Sequence, residues 1–282
     1  MEKMCRVLGV SRTGYYRWKE RMKNPNLEKR LIKEELSGKI SKSFYESYCT
    51  YGSPRVHRDL LDWGYDISRK TVARYMREMG LRAIPAEKFV MTTDSNHDRP
   101  IYPNLVNRKF NISKPNHVWV ADITYIWTLE GWLYLASVMD LYSRKIIGWA
   151  LDSHMRKDLP LQALNNALSS REVTKNLIHH SDRGSQYCSN DYVDKLVDNN
   201  IQISMSRKGD PYDNACIESF HATIKKELIY RTRFVSRADA RKAIANYIVS
   251  FYNERRRHST IGYSSPSNYE RTYRLLSAQK IS

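Results

Sequence analysis

The sequence predicts an α/β domain built on a mixed sheet, with a small helical domain ahead of it. Two observations carry this. Up to about residue 82 the apolar residues recur at helical spacing between cap and stop signals; after Pro115 the period shortens to that of strands. From there the patterns follow in the order β-β-β-α-β-α-β-α-α, the order of a mixed sheet flanked by helices.

At the N-terminus, "VLGVSRTGYYRWKER" resembles a short helical unit but is too short to assign. The stretch "LEKRLIKEELSGKISKSF" sets Leu27, Leu31, Leu36, Ile40 and Phe44 near one helical face, with Lys and Glu opposite. In "YGSPRVHRDLLDWGYDISRKTVARYMREMGLRA", Ser53 and Pro54 open a helix whose apolar side is Val56, Leu60 and Leu61, and Gly64 stops it. Ser68 caps a second helix carrying Val72, Tyr75, Met76 and Met79, which Gly80 ends. Two short helices with a tight link read as a helix-turn-helix at about 51–82. Its second helix exposes Arg69, Lys70, Arg74 and Arg77 towards phosphates or base edges. The competing reading is a helical hairpin used only for packing.

Pro85, Pro100, Pro103 and Pro115 mark residues 85–115 as a linker. Then "HVWVADITYIWT", "GWLYLASVMDLY" and "RKIIGWALD" are three strands rich in β-branched and aromatic residues. "KDLPLQALNNALSS" reads as a helix, "NLIHHSD" as a short strand, "NDYVDKLVDNN" as a helix and "IQISMS" as a strand. "DNACIESFHATIKKELI" and "RADARKAIANYIVSFYNERR" close the pattern as long helices. The organisation expected is a helical, DNA-binding region over 1–84, the linker, an α/β core over 116–230 and a basic helical extension over 231–282.

Composition narrows the function. Hydrophobic residues make up 41% and charged residues 27% of the 282, as in a folded chain rather than a disordered one. No run reaches the roughly 18 apolar residues a membrane span needs. The N-terminus lacks a signal-peptide core, so a cytoplasmic protein is expected. Cys5, Cys49, Cys188 and Cys216 form no C-x-x-C pair and no zinc spacing, and read as reduced thiols. The net charge of +17 is unevenly spread: +10 over residues 1–110, −2 over 111–218 and +9 over 219–282. Basic flanks suit a polyanion and an acidic centre suits cations. A protein that grips nucleic acid and holds metal ions has this distribution.

Three acids in the acidic centre stand out. Asp122 sits mid-strand among Val118, Val120, Ile123 and Ile126, a costly place for a charge without a partner. Asp182 falls where its strand ends, the position at which open α/β sheets set their binding groups. Glu218 shares a helical face with His221 and Lys225, apart from the stripe of Ile217, Phe220, Ile224 and Leu228. Convergent carboxylates repel one another unless cations lie between them, and Mg²⁺ or Mn²⁺ prefers such ligands. Two ions about 4 Å apart can activate an attacking oxygen and stabilise a leaving one in phosphoryl transfer. Gly184 is expected to let a nucleic-acid backbone approach closely.

With 35 residues between Asp182 and Glu218, and with "ADITYI", "HSDRGSQY", "DNACIESFHATIKKE" and "YNERRRHSTIGYSSP", the chain resembles the bacterial insertion-sequence transposases with a retroviral-integrase-like catalytic core. The resemblance covers about residues 50–270. It implies a ribonuclease-H-like fold, a D,D-35-E triad of Asp122, Asp182 and Glu218 acting as catalytic and metal-holding residues, and Mg²⁺ or Mn²⁺ as two ions. It implies end cleavage and strand transfer on terminal-repeat and target DNA, with a homo-oligomer assembled on that DNA. The family's basic residue seven places after the glutamate falls on Lys225, and its Tyr-Asn-x-x-Arg-x-His run on Tyr252, Asn253, Arg256 and His258. DNA contacts are thus expected from Lys225, Arg69, Lys70, Arg74, Arg183, Asn214, His221, Arg256 and His258. Two departures stand out. The His/Cys zinc module that opens retroviral integrases is absent, and an upstream-frame segment is expected as a fusion or partner. The alternatives are a nuclease of the same fold that only hydrolyses, and a non-catalytic DNA-binding regulator.

Other polar residues have plainer expected roles. Asp140 reads as a turn residue or a partner of Arg144, and Asp213 as the cap of the following helix. Of His179 and His180, one is expected in the strand interior and the other facing the site.

Overall fold

The computed structural model describes Met4, Val7 and residues 9–23, 27–83, 100–208 and 210–279. It divides into two compact units, Met1–Ile84 and Pro85–Ser282, taken here one at a time.

In the first unit, helix α1 (Arg12–Lys23) follows Ser11, whose hydroxyl accepts from the Gly14 amide. Helix α2 (Leu27–Glu46) buries only its C-terminal end, at Ile40 and Phe44; Leu31 is exposed, so the predicted stripe does not run the length of the helix. Helices α3 (Ser53–Asp62) and α4 (Arg69–Glu78) pack on it through Val56, Leu60, Val72 and Met76. Ser43 donates to Asp59 at 2.6 Å, and Lys33 pairs with Glu78 at 2.7 Å. Gly52 rather than Ser53 is the N-cap of α3, with Pro54 in the first turn; the Ser68 side chain caps α4 as predicted, accepting from the Thr71 amide. Both helices end on glycines in the left-handed region, Gly64 at φ 86° and Gly80 at φ 68°, which lets the chain turn back onto its own last carbonyls.

The second unit holds a five-stranded sheet. Its strands are β1 (Val118–Thr128), β2 (Gly131–Asp140), β3 (Lys145–Asp152), β4 (Ile178–Ser181) and β5 (Gln202–Met205), in the order β3-β2-β1-β4-β5. The first three are antiparallel, and β4 and β5 run parallel to β1. This is the mixed sheet of the ribonuclease-H-like fold. Helices α5 (Asp158–Ser170) and α6 (Asn190–Asp198) cover one face through Leu159, Leu164, Tyr192 and Leu196. α5 lies so close to β3 that a side chain at Gly148 would meet the Ala163 carbonyl at 2.3 Å, so only glycine fits there. A 3₁₀ turn (Pro211–Asn214) leads into α7 (Ala215–Glu227), which buries Ile217, Phe220 and Ile224. After α7 come α8 (Arg237–Asn246), opened by a Ser236/Asp239 capping box, a π-helical stretch (Tyr247–Tyr252) and α9 (Pro266–Gln279).

Residues 85–99 of the predicted linker lie outside the described residues. The rest of it is no free tether. Leu105 donates its amide to Ser204, Pro103 accepts from the Met205 amide, and Val106 is buried. This stretch covers the open edge of β5, whose unpaired groups would otherwise face water. The C-terminal extension likewise packs on the core. Glu270 of α9 is buried, accepts from Ser143 and is held by Arg171 at 2.9 Å.

Candidate active site

Strand register sets the first two acids. The β1–β4 ladder pairs Val118 with Ile178 and Val120 with His180. Continued by two residues, the same offset brings Asp122 level with Asp182, the residue just past β4. Neighbouring strands lie about 4.8 Å apart, so the register sets Asp122, within β1, beside Asp182, just past the end of β4. Asp122 Oδ1 accepts from the Ile123 amide at 2.8 Å, and Oδ2 meets His221 Nδ1 at 3.1 Å. The other ring nitrogen of His221 reaches Ser137 Oγ at 3.3 Å, and Ser137 is the cross-strand partner of Asp122. Asp182 Oδ1 accepts from the Gly184 amide at 2.9 Å. A side chain at Gly184 would meet that carboxylate oxygen at 3.0 Å, so this glycine makes room for the aspartate's own turn.

Glu218 arrives on the first turn of α7. Asn214, just ahead of the helix, donates Nδ2 to the Ala121 carbonyl at 3.1 Å and so fixes the helix start beside β1. Burial, and then the charges of Asp122 and Asp182, push the Glu218 carboxyl from its ordinary 4.5 up to about 7. The three acids therefore share one electrostatic neighbourhood. Among the described residues, no three His, Cys, Asp or Glu side chains are gathered tightly enough to make a finished metal-ligand set. Tyr187 is buried against Tyr192, and burial first, then Tyr192 and the charges of Asp122 and Asp182, raises its hydroxyl well above its ordinary value. Nothing in its sequence position marked it out. Ser137 was equally silent, since only the register reveals it.

Several residues expected at DNA have partners inside the fold. His221 is buried against Asp122 and Ser137 rather than standing on an outer face. Asn214 is buried and committed to Ala121. Arg183 donates Nε to the Ser206 carbonyl at 2.6 Å, tying the ends of β4 and β5. Arg256 is 5% exposed and clasps Glu227 of α7 with two bonds of 2.8 Å. His258 packs edge-on against Tyr252, whose ring meets Phe220 of α7 at 4.7 Å. Asn253 exchanges bonds with the backbone of Ile146 on β3. The Tyr-Asn-x-x-Arg-x-His run is thus a clamp that holds the glutamate's helix to the sheet. The reason lies in burial: a desolvated guanidinium needs a carboxylate, and Glu227 supplies it.

Lys225 is 2% exposed, with its ammonium 4.3 Å from the centre of the Tyr125 ring. Burial lowers it to about 8, against the attraction of Asp122. It therefore lies inside the acid neighbourhood, not on a solvated helix face. Arg69, Lys70 and Arg74 are exposed along α4 as predicted, with Arg74 3.8 Å from Glu78 one turn on.

The remaining expectations divide. Asp140 is a turn residue, accepting from the Asn116 and Tyr142 amides, but it does not pair with the Arg144 side chain, which goes to Cys216 and Phe110. Asp213 caps nothing; it is a buried hub for Arg207, Arg108 and Asn104, and Asp210 caps the 3₁₀ turn instead. His179 and His180 are both buried, on Tyr192 and on Ser204 with Ser206, and neither faces the site.

Comparison with known proteins bears on what this arrangement belongs to. Family models described as integrase core domain match residues 112–211 and 199–266, and one described as HTH-like domain matches 32–89. The insertion element IS600 31 kDa protein of Shigella sonnei is 42% identical over 98% of this chain and 100% of its own length. The transposase InsF for insertion sequence IS3A of Escherichia coli (strain K12) is 43% identical over 95% of this chain and 92% of its own. A solved integrase core of HTLV-2, in complex with magnesium, is 16% identical with a TM-score of 0.44 over 56% of this chain and 97% of that one. Among the described residues no helix is long and apolar enough to cross a membrane. With an integrase core and a helix-turn-helix-like domain in one chain, and relatives matched almost end to end, this protein belongs to the family of insertion-sequence transposases that includes InsF of IS3.

Proposed function

We propose that the chain cuts the end of its insertion sequence and joins the freed 3′-hydroxyl to target DNA, with Asp122, Asp182 and Glu218 as the catalytic carboxylates. The observation that supports this most is the shared neighbourhood of the three acids, in which Glu218 is raised to about 7 by burial and by its two neighbours. Such a cluster has the hard oxygen donors that Mg²⁺ or Mn²⁺ takes, and a cation between them relieves the repulsion. Bound there, two such ions would activate the attacking oxygen and neutralise the leaving one.

The chain's own residues do the rest. The Ile123 amide and His221 orient the Asp122 carboxylate, and the turn to Gly184 orients Asp182. The Tyr252, Asn253 and Arg256 clamp fixes α7 and therefore Glu218. Lys225 supplies positive charge beside Asp122, suited to a phosphate next to the scissile one. Arg69, Lys70 and Arg74 on α4 grip duplex DNA through its phosphates. Pairing two element ends calls for a homo-oligomer on DNA, and an upstream-frame segment is a candidate fusion or partner in that assembly.

A strand-transfer assay on terminal-repeat DNA with Mg²⁺ tests the reading. Asp122→Asn should abolish cleavage and joining while folding and DNA binding persist. Asp140→Asn should leave the chemistry in place. Activity retained in Asp122→Asn would sink the triad assignment.

A further inference from the structure

Past Asp122, strand β1 runs on without β4 beside it, because the β1–β4 ladder stops at Val120. The strand carries Tyr125 and Trp127 towards a hairpin tip, and β2 sets Trp132 opposite Trp127. The rings lean on one another edge to face, Trp127 to Trp132 at 4.8 Å and Tyr125 to Trp132 at 5.2 Å. Despite these contacts Trp127 is 55% and Trp132 43% exposed. Two large indoles are thus left facing water at the end of the strand that carries a candidate catalytic acid.

The segment after α7 borders this tip. Phe234 accepts from the Leu129 amide at 3.1 Å, and Arg237 donates its amide to Glu130 at 2.8 Å and its Nε to the Trp132 carbonyl at 3.1 Å. The same segment carries Arg231 and Arg233, both exposed. Aromatic faces edged by arginines have the chemistry of a site for unpaired nucleotides, whose bases stack while their phosphates meet the cations. The patch also continues into the candidate active site, because Tyr125 lies under Lys225 and Lys225 feels Asp122. Trp127 lies five positions along β1 from Asp122, about 17 Å of strand.

We propose that the tip of the β1–β2 hairpin is a stacking platform for unpaired bases of a DNA strand that leaves the active site, with Trp127 and Trp132 taking the bases and Arg231 and Arg233 the phosphates. This rests on reading the carboxylate cluster as acting on DNA. The arginines select a DNA strand over a second copy of the chain: a two-fold contact through this face would set the same arginines against one another.

The test is equilibrium binding by fluorescence anisotropy in the Asp182→Asn background without divalent metal, so that it reads the platform and not the chemistry. The probes are a blunt duplex, the same duplex with a short thymidine tail in each polarity, and the same with abasic tails. The thymidine tail of one polarity is expected to bind about 5-fold or more tighter than the blunt and abasic probes, a gain of the size base stacking supplies. Trp127→Ala/Trp132→Ala should lose that gain and keep blunt-duplex affinity, and Trp127→Phe/Trp132→Phe should keep most of it. Thymidine and abasic tails bound alike in both polarities would overturn the proposal. So would a tail-dependent gain unchanged in the alanine variant, and a change in that variant's sedimentation mass with tail binding intact would assign the face to a protein contact instead. Failure of the cleavage assay alone would count against the carboxylate reading and leave the platform result standing.

Discussion

Two groups of acids in the integrase-like unit behave in opposite ways. Asp213, Glu227 and Glu270 are each met by arginine: Arg207 and Arg108 on the first, Arg256 on the second, Arg171 on the third. Asp213 is held well below the usual carboxylate range, first by its bond from Arg207. Asp122, Asp182 and Glu218 are instead set beside one another, and Glu218 is pushed up to about 7. The difference teaches what each group is for. An acid matched by arginine inside the fold is already neutralised and serves as a joint. Acids grouped with acids repel one another, a cost that a bound cation would relieve, and such a cluster is a candidate for chemistry.

The comparison breaks most sharply at the site acids. Asp182→Asn or Glu218→Gln should drop cleavage of terminal-repeat DNA to background in a gel assay, with the circular dichroism spectrum unchanged. Substituting a joint acid's partner should do the reverse. Arg256→Ala leaves Glu227 buried without its guanidinium, so urea unfolding should show a loss of about 3–5 kcal/mol. Activity should fall in that variant only as far as the folded fraction and the hold on α7 fall.

The pH dependence has a definite sign. Glu218 has a folded pKa of about 7 against its ordinary 4.5, so the folded state holds the proton more tightly. Its contribution to stability is complete below about pH 4.5 and is lost as pH rises to about 7. Without divalent metal, the melting temperature of Glu218→Gln should therefore fall less than that of the native sequence between those pH values. Equal slopes would remove Glu218 from the cluster. The smallest effect is expected at the lysines. Lys225→Ala should slow cleavage measurably at fixed Mg²⁺ and salt, Lys225→Arg should keep part of the rate, and Lys226→Ala should do little. Equal, small effects at both positions would show that this face of α7 meets no phosphate.

What the sequence made legible was what neighbouring residues decide. The alternation of strand and helix, the Ser68 cap and the glycine stops depend on residues within a few places of one another, and the structure has them. The carboxylate cluster was legible because strand position and helical spacing limit where Asp122, Asp182 and Glu218 can point. Pairings across long separations were not. Nothing near Arg256 announces Glu227, 29 residues earlier, and nothing near Asp213 announces Arg108, 105 residues earlier. Arg256, read as a DNA contact from its motif, is buried and held by a partner that only the folded chain brings near. His179 and His180 show the same limit. An alternating strand should turn one inward and one outward, but β4 is buried on both faces, with His179 on Tyr192 of α6 and His180 on Ser204 and Ser206.

The measurement that tests the contrast most directly is calorimetric titration of Mn²⁺ into the protein without DNA, at a pH above 7, for the native sequence, Asp122→Asn, Glu218→Gln and Arg207→Gln. If the clustered acids await a cation, the native sequence and Arg207→Gln bind Mn²⁺ with a measurable heat, and Asp122→Asn and Glu218→Gln bind it far more weakly. Mn²⁺ binding equally well to all four would contradict the account.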